Sequence, residues 1–184
     1  MTRLALLPAA LLTLSLAGCG TPSQPLPMAV TAAEALQIRG WVPDALQRQV
    51  GLATVKGGQE TGRWWGSKVS TVVLQQALDE SLFAVGMKPL SPEPAPRFEL
   101  QAELLQLDQP LVPAVGVTVG VAVHYTLVDK ASGKAVYQRR IANTDEARFS
   151  EAIVSPNERL RIANERALRA NIDLLLRDLV TLRP

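Results

Sequence analysis

The sequence predicts an α+β fold, a two-layer sandwich in which a mostly antiparallel sheet of four to five strands carries two helices on one face. Apolar and polar residues alternate over residues 98–104 and 115–127, which is typical of half-buried strands. Apolar residues recur at helical spacing over about 67–85 and about 156–182. Strands flanked by helices in this order favour helices packed against one antiparallel sheet.

The first 19 residues have the parts of a secretory signal peptide. Arg3 supplies the positive charge, an apolar run follows over residues 4–16, and residues 16–19, Leu-Ala-Gly-Cys, resemble the lipobox of bacterial lipoproteins. The apolar run is too short for a membrane span, which needs about 20 residues. We therefore predict cleavage between Gly18 and Cys19, which removes residues 1–18.

The lipobox resemblance implies that Cys19 carries a diacylglyceryl group and an N-linked acyl chain such as palmitate. More than one chain is what stable anchoring requires. Cys19 is the single cysteine, so no disulfide can form within the chain, and lipid on this residue explains a thiol without a partner. Gly20 replaces the aspartate that retains such proteins at the inner membrane of enteric bacteria. The resemblance thus implies the periplasmic face of the outer membrane, whereas the alternative is an ordinary signal peptide with an accidental cysteine.

The mature chain is predicted to be a lipidated flexible tether, residues 19–30, followed by a single periplasmic domain, residues 31–184. Three prolines with Thr, Ser and Gln make residues 20–27 poor in apolar side chains, as in a linker. The whole chain has 19 basic and 17 acidic residues, and no basic run is interleaved with aromatics. We therefore expect no nucleic-acid partner.

The first part of the domain has weak periodicity. Leu36, Ile38 and Val42 alternate as in a short strand, and a helical turn is predicted from Pro43. A further strand is predicted over residues 52–55, before two glycines.

The helix at about 67–85 is predicted to begin at Ser67, whose hydroxyl is suited to cap it. Gly86 and Pro89 should end this helix.

Three antiparallel strands follow. The second has large apolar residues on one face, whereas Gly116, Gly120 and Ala122 on the other face leave room for something to lie close to the sheet. Residues 129–134 contain Ser-Gly and predict a hairpin turn into a third strand at 135–144.

The last helix begins with a predicted capping box, Ser155-Pro156-Asn157-Glu158, and carries a polar column inside its apolar stripe. Either these side chains are bonded to nearby backbone or loops, or they line a polar groove for a partner. A charged cluster on the opposite side, which includes Glu165, is expected to face solvent. The column consists of Asn157, Asn164, Asn171 and Asp178.

Few residues suggest chemistry. The single histidine, His124, has no serine, cysteine or carboxylate motif near it in sequence, so we predict no catalytic residue, and no metal-ligand spacing or cofactor motif is present. Trp64 and Trp65 concentrate apolar area after a glycine-rich loop. They either plug the core at the helix start or contact a partner or lipid headgroups.

Several short runs resemble a family of small uncharacterised proteobacterial envelope lipoproteins, similar in layout to the YajG-like and ABC-transport auxiliary lipoproteins. The resemblance covers the chain from about residue 50 and implies a four- or five-stranded sheet with two helices on one face. Relatives sometimes carry the label UDP-N-acetylglucosamine acyltransferase, but the hexapeptide repeats of those enzymes are missing here. The runs are Gly57-Gly58, Trp65-Gly66-Ser67-Lys68, residues 74–82, Leu107-Asp108-Gln109-Pro110, residues 123–129 and residues 160–172.

Two functions remain open, and neither is enzymatic. The first is a lipid-anchored adaptor or accessory subunit that binds another envelope protein or a transport complex. The second is a periplasmic module that binds a small ligand or lipid on the small-residue face of residues 116–126. A sealed sheet face favours the adaptor, and an apolar pocket of roughly 300 Å³ or more favours the ligand module.

Overall fold

The computed structural model describes residues 21–61, 66–111 and 116–183. Within these ranges the chain forms four α-helices, four strands and one short 3₁₀ turn. No helix in this part of the chain is long and apolar enough to cross a membrane. In chain order the elements are α1 (Pro25–Met28), α2 (Ala32–Arg39), β1 (Val50–Lys56), α3 (Thr71–Ala84), β2 (Phe98–Asp108), β3 (Val117–Asp129), β4 (Lys134–Ala147), the 3₁₀ turn (Phe149–Glu151) and α4 (Pro156–Leu179).

The four strands form one mixed sheet in the order β1-β2-β3-β4. The β2–β3 and β3–β4 pairs are antiparallel, whereas β1 runs parallel to β2 because α3 crosses over between them. A hairpin turn joins β3 to β4, with Gly133 at φ +68° and its N–H donating to Asp129 O at 2.8 Å. The predicted α+β fold class, the strand at 52–55 and the hairpin are confirmed.

The core lies between one face of the sheet and the helices. Every second residue of β3 is buried on this face, and α3 and α4 bury their apolar stripes against the sheet. The other face of the sheet has no helix over it among the described residues. The core includes Leu74, Leu78, Leu82, Phe98, Leu100, Tyr125, Leu127, Leu168, Ile172 and Leu175.

The two predicted long helices are present, but one begins later than expected. The N-cap of α3 is Ser70, whose hydroxyl accepts from Val73 N at 3.3 Å, and Ser67 is buried outside the helix. For α4 one half of the predicted capping box is confirmed, because Ser155 Oγ accepts from Glu158 N at 3.2 Å. The Glu158 carboxylate accepts from Arg161 Nε at 2.9 Å, so the returning half of the box is replaced by an ion pair.

The predicted strand around Leu36 and Ile38 is wrong, since residues 32–39 form α2. Thr31 and Glu34 form a capping box in which Thr31 N donates to Glu34 Oε2 at 2.6 Å and Glu34 N donates to Thr31 Oγ1 at 3.3 Å. Ala35 and Ile38 face the core and Leu36 is exposed, so the apparent alternation came from a short helix with a narrow buried side.

The predicted tether over residues 19–30 is also wrong for its second half. Ser23 is already buried, and Met28 at the end of α1 is among the most deeply buried side chains of the core. The prolines reduce the conformational entropy that this short segment loses when it becomes ordered. Met28, Ala29 and Val30 are buried where the segment packs on α3 and α4, and this burial stabilises the ordered segment.

Candidate functional site

The described residues contain only some of the predicted site residues. Gly18, Cys19, Trp64 and Trp65 lie outside them, so the lipidation, cleavage and tryptophan hypotheses stay predictions. Asn164 and Asn171 lie on the inner side of α4.

Three contacts fix the first described segment of the chain to the rest of the domain. Ser23 N donates to Lys68 O at 3.4 Å, and the hydroxyls of Ser23 and Ser67 lie 3.3 Å apart. Gln24 N donates to Glu165 Oε1 at 2.7 Å. The chain is thus fixed to the body of the domain from the fourth residue after Cys19.

Glu165 is the buried carboxylate that receives this segment. The helical periodicity predicts that Glu165 faces solvent. That prediction is wrong, because the N-terminal segment covers the Glu165 side chain. Burial raises the pKa of the Glu165 carboxyl, whereas the N–H of Gln24 and the guanidinium of Arg161, 2.6 Å away, oppose that rise. The Glu165 carboxylate therefore accepts from the backbone of the N-terminal segment while it pairs with Arg161 on its own helix.

Asn164 joins α4 to the segments that precede α3 and follow β2. Its Nδ2 donates to Ser67 O at 3.1 Å, and its Oδ1 accepts from Gln109 Nε2 at 2.8 Å. Gln109 Nε2 also lies 2.6 Å from Ser67 O, and Lys68 Nζ donates to Gln109 Oε1 at 2.7 Å. We call Ser23, Ser67, Gln109, Asn164 and Glu165 the N-terminal cluster. The sequence did not predict the bond between Gln109 and Asn164, because a local pattern cannot reveal a contact between residues 55 positions apart.

Asn171 joins α4 to the centre of the sheet. The hydroxyl of Tyr125 donates to Asn171 Oδ1 at 2.9 Å, and Asn171 Nδ2 donates to Ile141 O at 3.1 Å and to Asn143 Oδ1 at 2.7 Å. Both Asn164 and Asn171 are fully buried. The hypothesis that they line a groove for a partner is therefore wrong, and their amides hold the helix to its neighbours instead.

The last member of the polar column, Asp178, binds strand β4. It accepts from the Tyr137 hydroxyl at 2.7 Å and from Arg139 Nη1 at 2.6 Å. Burial, followed by the hydrogen bond to Asp178, raises the pKa of Tyr137 above its usual range. Asn171 and Asp178 therefore bind α4 to the sheet, and Asn164 binds it to the segments beside the sheet.

The uncovered sheet face, which we call the open face, carries a shallow concavity of about 400 Å³. Gly120 and Ala122 form its floor, and Gln106, Asp108 and Arg140 stand around it. His124 lies further along the same face, with Nε2 at 3.1 Å from Gln138 Nε2. Small residues thus leave room beside the sheet as predicted, but polar side chains line much of that room. Within residues 21–61, 66–111 and 116–183, no three His, Cys, Asp or Glu side chains group as metal ligands would.

Comparison with known proteins identifies relatives by fold only. No protein-family model matches the chain, and no curated protein does. A Xanthomonas campestris protein of the family DUF330 superposes with a TM-score of 0.53 at 13% identity, covering 76% of this chain and 89% of that one. At this identity the likeness shows a shared fold and nothing about activity.

Lipoproteins occur among the other structures that resemble the chain. A candidate lipoprotein from Caulobacter crescentus has a TM-score of 0.49 at 14% identity, and covers 79% of this chain and 93% of that one. A minor lipoprotein from Acinetobacter baumannii has a TM-score of 0.42 at 13% identity, covering 59% and 81%.

Proposed function

We propose that the protein is a non-enzymatic, lipid-anchored envelope protein on the periplasmic face of the outer membrane, where it acts as an adaptor or accessory subunit of an envelope or transport complex. The observation that carries the proposal is the spacing between the lipobox and the fold. The predicted lipid attachment is at Cys19, and the domain is fixed from Ser23.

This spacing puts four residue steps between the predicted lipid attachment at Cys19 and the first bonded residue, Ser23. Fully extended, four residues span at most about 14 Å. An anchor on Cys19 would therefore hold the folded domain directly beside the bilayer, with the N-terminal cluster nearest to it. Such a short tether suits a protein that presents one defined side to partners in the same membrane.

The open face is the surface we assign to the partner. It is broad and shallow, with charged and amide side chains such as Asp108, Arg140 and Gln106 around small residues. A polar rim around small residues lets another protein surface approach the backbone closely. A small apolar ligand needs an enclosed apolar pocket instead. The concavity exceeds the volume of roughly 300 Å³ that would favour a ligand module, but it is open to solvent and its lining mixes polar and apolar groups.

Site-specific photocrosslinking in living cells tests the adaptor role. A photoreactive residue replaces Thr144 on the open face or, as a control, Leu174 on the exposed side of α4. We expect a discrete envelope protein to be captured from position 144, to be lost with Arg140→Glu, and to be missing from position 174. Equal capture at both positions, or none at 144, would refute the assignment of the open face.

A further inference from the structure

We propose that apolar residues at one end of the sheet dock on the lipid bilayer that holds the anchor. This surface, the loop end, consists of Leu111, Phe149, Ile153 and Val154. The proposal rests on the lipid anchor of the proposed function and adds a second, side-chain contact with the same membrane.

The register of the sheet places the two segments of the loop end side by side. Strand β2 finishes at Asp108, and β3 begins at Val117 opposite the last residue of β4, Ala147. The loops after β2 and after β4 therefore leave the same end of the sheet. Leu111 and Asn157, in the first turn of α4, line one recess of about 200 Å³, which places the two loops side by side.

The loop end exposes large apolar side chains, and the Arg159 guanidinium lies over the ring of Phe149 at 5.1 Å. Leu111 is fully exposed, Val154 is 94% exposed and Ile153 is 62% exposed. Leu111 and Val154 are the two most exposed large apolar residues of the described chain. Neighbouring exposed apolar residues of this kind mark contact surfaces, whereas scattered ones do not.

A lipid on Cys19 would reach the domain at this end. Ser23 contacts Ser67 and Lys68, and Lys68 in turn binds Gln109, which directly follows β2. The tether allows about 14 Å between the lipid and Ser23. The 13 residues of β3 extend about 40 Å to the opposite end of the sheet, which lies beyond that reach. In the anchored protein, the loop end is therefore the end of the sheet that lies nearer to the bilayer.

The opposite end supplies a matched control. Leu90 is 68% exposed and lies in the segment between α3 and the start of β2. That segment adjoins the start of β1, since Arg48 N donates to Gly86 O and Val50 N to Met87 O, both at 3.0 Å. Leu90 and Leu111 are thus exposed leucines at the two ends of one sheet.

The test uses the full lipidated protein, purified from membranes and reconstituted in phosphatidylethanolamine–phosphatidylglycerol vesicles. An environment-sensitive thiol dye is placed at Leu111→Cys, Val154→Cys or Leu90→Cys. Acylated Cys19 cannot react with the dye and is the single native cysteine, so labelling is specific. Brominated acyl chains in the vesicles then quench any dye that enters the lipid.

We expect a blue shift and loss of fluorescence for dyes at positions 111 and 154, and neither for the dye at 90. In the Leu111→Cys chain, Val154→Asp should reduce the quenching. Anchored protein whose dye at 111 is no more quenched than that at 90 would overturn the proposal. A blue shift without quenching would also overturn it, because the loop end would then be covered by a second copy. If mass spectrometry found Cys19 unmodified, the proposed function itself would fail.

Discussion

Replacing Asn171 by leucine should destabilise the domain. The leucine removes the acceptor of the Tyr125 hydroxyl and the donor to Ile141 O. Tyr125 is fully buried in the core, so its hydroxyl cannot turn to water instead. Burial raises the pKa of this phenol well above its usual range, which keeps it a neutral donor that needs an acceptor.

The size of the effect follows from the groups left without partners. A buried polar group that loses its partner costs about 1 to 3 kcal/mol. Asn143 is only partly buried, so its side chain can bond to water when Asn171 is replaced. Most of the lost free energy of unfolding therefore comes from the Tyr125 hydroxyl. The extra apolar surface of leucine offsets part of it, and we expect a net loss of about 1 to 3 kcal/mol. For a domain of this size, each kcal/mol lowers the Tm by roughly 2 to 4 °C.

Urea unfolding of the wild type, Asn171→Leu, Tyr125→Phe and the double variant measures this directly. Tyr125→Phe alone should cost about 1 kcal/mol, the net value of a typical hydrogen bond. In the Asn171→Leu background the same change should be neutral or stabilising, because it removes the unsatisfied hydroxyl. Asn171→Leu with stability at or above that of the wild type, or additive effects in the double variant, would refute the reasoning.

Three further predictions concern the anchor, a helix cap and an ion pair. Cys19→Ser should leave the protein unprocessed or in the soluble fraction after cell fractionation, since the acyl chains provide the membrane affinity; a processed variant that stays tightly membrane-bound would contradict this. Ser155→Ala should lower the free energy of unfolding by about 0.5 to 2 kcal/mol through loss of the α4 cap, measured by urea melts. The Arg97 guanidinium, hydrogen-bonded at 2.9 Å, holds the pKa of Asp129 at about 2 against a usual 3.8. The stabilisation by Asp129 should therefore be complete above about pH 4 and lost as the pH falls toward 2, and an NMR titration of this carboxyl near 3.8 would contradict the pairing.

The elements with strong local signals were predictable. The alternation over β3 and the cap with proline at the start of α4 both report structure through residues close in sequence. The α2 helix was missed because only Ala35 and Ile38 are buried, so its apolar pattern is too short to distinguish from a strand. The Thr31–Glu34 capping box was the signal that identifies it.

Long-range contacts account for the other errors. Ser67 and Ser70 are equally good caps by sequence, and the choice depends on Ser67 being held by Ser23, Gln109 and Asn164. Likewise the Pro-rich segment before Met28 looked like a tether because its burial depends on α3 and α4, far along the chain. The parallel pairing of β1 with β2 also arises from the α3 crossover rather than from either strand alone.

Burial dictates the hydrogen bonding of the polar column, whereas exposure leaves that of the open face unspecified. Periodicity showed that Asn164 and Asn171 lie within the apolar stripe of α4, and burial then required that they be bonded. No comparable rule identifies a partner for exposed Gln106, Asp108 and Arg140, because solvent satisfies such groups equally well.

The proposed function depends on a lipid anchor at Cys19, four residues before the chain is bonded at Ser23. Intact-mass and N-terminal peptide mass spectrometry of protein extracted from outer membranes tests it most directly. We predict a chain that begins at Cys19 and carries a diacylglyceryl group and an N-acyl chain. A chain that still contains residues 1–18, or one cleaved elsewhere with an unmodified Cys19, would contradict the account.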